Sequence, residues 1–89
     1  MARFEGSTLE FVDASLPASS PDVMYRMGLM YCAGRDVPFD LVTAHKWLNL
    51  AAVRGNQEAK LRRMEIALDM TKAQIAEAQK QAREWMRKH

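Results

Sequence analysis

A chain of 89 residues with 48% hydrophobic and 27% charged side chains is too short for more than one domain and too apolar for a disordered polymer. Its net charge of +2 is too near neutral to argue for a nucleic-acid binder, and its one cysteine excludes an internal disulfide. No apolar run reaches the ~18 residues of a membrane span and the first residues lack the basic-then-apolar order of a secretory signal, so a cytoplasmic protein without membrane contact is expected.

The charge is unevenly spread: residues 1–22 hold one Arg and four acids, and residues 23–89 hold 12 basic and seven acidic groups. Residues 1–21 contain Gly6, Pro17, Pro21 and the Ser-rich "ASLPASSP" without a sustained period, which predicts an acidic, mostly irregular N-terminal arm. Its hydrophobes Leu9, Phe11, Val12 and Leu16 suit either a loose tail with an anchor or an arm that docks, in a groove of its own body or on a partner.

Residues 22–89 read as one helical domain. A first helix is predicted over 22–33, with Asp22 as N-cap because its carboxylate can accept an orphan N–H of the first turn. "VMYRMGLMYCA" is apolar on nearly every side, so this helix needs cover from neighbours or from a partner. Gly28 interrupts it at a cost of about 1 kcal/mol, tolerable where another backbone crosses closely. In "GRDVPF", Gly34 suits a left-handed helix stop, Asp36 tolerates positive φ and Pro38 forbids further helix, so the chain must reverse.

Asp40 caps a second helix over 40–54, in which Leu41, Ala44, Trp47, Leu48 and Ala51 form a stripe at helical spacing, and Gly55 ends it. A third helix over 57–69, begun by Asn56, sets Leu61, Met64 and Leu68 on one face, a weaker stripe than that of the second helix, with Arg62, Arg63, Glu65 and Asp69 mostly elsewhere. Thr71 with Gln74 three residues on is a capping-box signature for a fourth helix over 72–88, whose stripe is Ile75, Ala78, Ala82, Trp85 and Met86. The fold class is therefore all-α, antiparallel hairpins stacked from about four helices.

Residues 23–59 resemble one unit of the Sel-one-like repeat family, helical-hairpin relatives of tetratricopeptide repeats. The matches, in order and spacing, are Met27-Gly28, Tyr31, Gly34-Arg35-Asp36-Val37, Asp40, Thr43-Ala44, Trp47, Ala51-Ala52, Gly55 and Ala59. Val23 stands where the family has Ala, Thr43 where it has Lys, and Asp36 where it has Gly. A degraded terminal hairpin follows over 57–89, in which Gln81–Trp85 echoes Thr43–Trp47; it is similar to the ends of bacterial Sel-one-like domains.

The resemblance implies a non-catalytic adaptor or scaffold that binds a peptide, a partner protein or a second copy of itself. In such folds the first helix of each unit lines the concave face, which points to Tyr25, Leu29 and Cys32, with Arg62 and Arg63 at the groove's edge. The surplus of Met24, Met27 and Met30 fits a groove or an irregular core equally. Gly28, Tyr31, Gly34, Asp40, Ala44, Trp47, Gly55 and Trp85 are assigned to structure.

Other chemistries have thinner support. Cys32 reads first as a small buried hydrophobe and only second as a nucleophile; His45, five residues past Asp40, is out of step with it on a helix. A metal site from Cys32, Asp36, Asp40 and His45 is the remaining alternative, and no cofactor is expected. Lys80, Arg83, Arg87 and Lys88 alternate with Glu77 and Glu84, which suits a solvated face; the competing reading is a regulatory subunit contacting nucleic acid through the basic third and fourth helices.

Overall fold

The computed structural model describes residues 20–89, so the N-terminal arm and its docking lie outside the described residues. These residues form four α-helices and no strand: α1 (Pro21–Ala33), α2 (Leu41–Val53), α3 (Gln57–Ala67) and α4 (Lys72–Lys88).

α1 begins one residue earlier than expected. Ser20 stands at the N-cap with φ −65° and ψ 131° and makes no side-chain capping bond, while Pro21 opens the helix. Proline fits there because the first N–H of a helix has no internal partner to lose. Asp22 is thereby moved into the first turn, where its charge complements the helix dipole instead of capping it.

Gly34 takes the left-handed conformation (φ 68°) beyond α1, and the Arg35 N–H donates to the Met30 carbonyl at 3.0 Å, closing the helix end. Asp36 has a positive φ of 65°, and at Asp40 the N–H donates back to the Tyr31 carbonyl at 3.1 Å. The Asp40 carboxylate caps α2 by accepting from the Thr43 N–H at 3.1 Å and from the Thr43 hydroxyl at 2.8 Å. α2 is thus turned back along α1. A Cβ built on Gly28 would lie 2.6 Å from Leu48 Cγ and 3.3 Å from the Ala44 carbonyl oxygen, so this glycine lies where the two helices press together.

At the far end of α2 the Asn56 N–H donates to the Ala51 carbonyl and the Gly55 N–H to the Ala52 carbonyl, both at 3.0 Å, with Gly55 at φ 106°. Asn56 then caps α3 through a 2.9 Å bond to the Ala59 N–H. Thr71 and Gln74 bond reciprocally, side chain to N–H, at 3.0 and 2.9 Å, giving α4 the expected capping box.

α2 is the axis of the molecule, with α1, α3 and α4 each packed on it. Its Ala44, His45, Trp47, Leu48, Leu50 and Ala51 are all buried, so burial extends well beyond the expected stripe. Met24, Ala59 and Ala82 bring the other three helices into the same core. α1, expected to need cover on every side, buries Val23, Met24, Gly28 and Met30 and leaves Tyr25, Met27, Leu29, Tyr31 and Cys32 half-buried.

The orientation of α3 is the main correction. Leu61, Met64 and Leu68 are more than half exposed, and the side toward α2 is made by buried Ala59 and half-buried Arg63 and Ile66. The small Ala59 lets the two backbones close up, and Arg63 Nη1 donates to Asn49 Oδ1 of α2 at 2.6 Å, which sets the rotation. In α4, Ala78 and Ala82 are buried and Ile75 and Trp85 half-buried, as the spacing predicted, while Met86 lies at the exposed margin.

Candidate functional site

Tyr25, Leu29 and Cys32 follow one another at steps of four and three, which on a helix aligns them along one face of α1. All three are half-buried, and Tyr25 and Cys32 also touch the core. This face is apolar, partly open, and carried on a helix packed along α2.

Arg62 of α3 stands at its margin. Its guanidinium pairs with Glu65 at 3.7 Å, both side chains being largely exposed, a geometry that contributes little stability. Its charge reaches Cys32, whose thiol is raised by burial and lowered less by Arg62. The thiol is therefore the stable form at neutral pH, opposite to what a nucleophilic cysteine requires. Arg63 points elsewhere: the bond to Asn49 commits it to α2, so the two arginines treated together in sequence have separate roles.

The burial of His45 is what sequence reasoning missed. This residue is 3% exposed, and its Nδ1 has no hydrogen-bond partner. Burial lowers its pKa, the nearby Arg63 charge lowers it further, and a backbone hydrogen bond works in the other direction, so it is held as neutral imidazole. A signal was present: Ala44, Leu48, Leu50, Ala51 and Ala52 surround α2 on most sides, which marks a central helix and makes any polar residue on it a buried one.

The structural residues meet as follows. Trp47, 8% exposed, receives the Trp85 ring edge-on, centroids 5.7 Å apart at 72°. His89 stacks on the other ring at 4.2 Å, and the Lys46 ammonium lies 4.5 Å from the Trp47 centroid. The Lys46 pKa is lowered by burial, against a smaller raising effect of Asp40. The two indoles join α2 to α4. Tyr31 contributes its carbonyl to the turn and a half-buried ring to the core. Thr43 uses its hydroxyl to hold the Asp40 cap.

Among the described residues no three His, Cys, Asp or Glu side chains stand close enough to hold a metal ion. Cys32, Asp36, Asp40 and His45 are instead distributed over a helix face, a turn, a cap and the core. No described helix is long and apolar enough to cross a membrane. Comparison of the chain with protein-family models, curated proteins and solved structures gives no match.

Proposed function

We propose that this protein is a non-catalytic interaction module, an adaptor or scaffold that binds an extended or helical peptide segment of a partner through the Tyr25, Leu29 and Cys32 face of α1. The observation that carries the reading is that these three residues, aligned and half-buried, form an apolar strip on a helix held close to α2 at Gly28, which borders the strip. Such a strip offers ready-made surface with little ordering cost to the module itself. Arg62 at the margin favours a ligand with an acidic residue beside its apolar anchors.

The resemblance to Sel-one-like repeats supports the same reading. Gly28, Gly34, Asp40, Trp47 and Gly55 act as close approach, helix stop, cap, core anchor and second stop, the duties a hairpin repeat requires of them.

Selection from a random peptide display library tests the proposal. Enriched peptides should share apolar anchors at helical or extended spacing, and their affinity should fall at least about tenfold, ~1.4 kcal/mol, in a Tyr25→Ala, Leu29→Ala double variant that keeps its helical circular dichroism. Absence of enrichment, or enriched peptides indifferent to the double variant, overturns it, as does salt-sensitive retention on nucleic acid as the only binding found.

A further inference from the structure

α3 has two apolar faces and uses only one of them inward. Ala59 and Ile66 turn to the core; on the opposite side Leu61, Met64 and Leu68 are 60%, 54% and 86% exposed. Their spacing, three then four, is that of the seam between two paired helices, and Gln57 extends the series one step back. The charges beside the seam are unequal. Helical geometry sets Lys60 along one flank and Glu58 and Glu65 along the other.

We propose that this face binds the same face of a second copy of the chain, with the two α3 helices parallel across a twofold axis. Parallel pairing brings unlike flanks together, so that Lys60 of each copy faces Glu65 of the other, twice by symmetry. Antiparallel pairing would bring like flanks together and set Glu58 against Glu65. The Arg62 to Glu65 pair, at 3.7 Å between exposed side chains, is too weak to withhold Glu65 from this contact. A seam three turns long lies at the small end of specific interfaces, so the association is weak and concentration-dependent. The contact uses none of the residues of the α1 strip, and it stands or falls separately from the peptide-binding reading.

Sedimentation velocity on the full chain from about 10 µM to about 1 mM tests it, a range suited to weak dimers. The weight-average mass should rise from one chain towards two. Leu61→Glu with Leu68→Glu should hold the chain monomeric throughout with unchanged helical circular dichroism. Lys60→Glu alone and Glu65→Lys alone should each weaken the dimer about five- to tenfold, because two attractive contacts become repulsive, and an equimolar mixture of these two variants should regain it. A chain monomeric at the highest concentration, a leucine variant that dimerises like the parent, or a dimer strengthened by Glu65→Lys overturns the proposal.

Discussion

Gly28 shows how a single missing methyl group sets a helix spacing. Its substitution by Ala removes a helix-weakening glycine, worth about 1 kcal/mol in favour of folding, but forces a Cβ to within 2.6 Å of Leu48 Cγ. Leu48 is fully buried and cannot swing away, so overpacking wins. Gly28→Ala should lower stability by about 1–3 kcal/mol, read as a lower midpoint in urea denaturation. Trp47→Ala should cost about 3–5 kcal/mol, a large part of the ~5–10 kcal/mol available to a domain of this size, and lower the thermal midpoint steeply. Half-buried Trp85 should cost less on the same substitution, a difference that thermal melts of the two variants would resolve.

His45 gives the stability a direction in pH. Its folded pKa lies below the ordinary value near 6.5, so the unfolded chain takes up the proton more readily. Stability is complete above about pH 6.5 and declines as the pH falls from there towards the folded value, because burial and the nearby Arg63 charge both disfavour the charged ring. Urea midpoints measured from pH 7.5 to 5 should fall for the parent and fall less for His45→Leu.

At the scale of elements, the reversal between α1 and α2 was legible because it is local chemistry: a residue with positive φ, a proline and a cap act within seven positions. Asp40→Ala should cost about 1–2 kcal/mol, since it removes the acceptor of both Thr43 bonds, and the loss should appear in chemical denaturation with helix content retained. The caps of α3 and α4, Asn56 and Thr71, were legible for the same reason. The face that α3 buries was not. Two apolar sets compete on that helix, and the larger one lost because the small Ala59 permits a closer approach to α2. The Arg63 to Asn49 bond spans 14 positions and exists only once the packing does. The α1 strip is suggested in the sequence only through the resemblance to a hairpin repeat, whereas the different duties of Arg62 and Arg63 follow from adjacent side chains departing a helix about 100° apart.

The whole molecule is organised around α2 and not around α1, the helix whose composition is apolar on most sides. α2 receives Met24 from one side, Ala59 from another and the Trp85 ring from a third. Removal of residues 71–89 should therefore do more than shorten the chain, because it uncovers Trp47 and a flank of the central helix. That truncation should abolish a cooperative thermal transition and broaden the amide spectrum of the remaining residues. Loss of a terminal helix that served only as a cover would leave both intact.

Because every neighbour leans on the same thirteen-residue helix, none can detach and leave a smaller native remnant behind. Deuterium uptake should accordingly be slowest at the amides of Leu48 to Ala51, whose opening requires the whole chain to come apart, and earliest in the outer turns of α3 and α4.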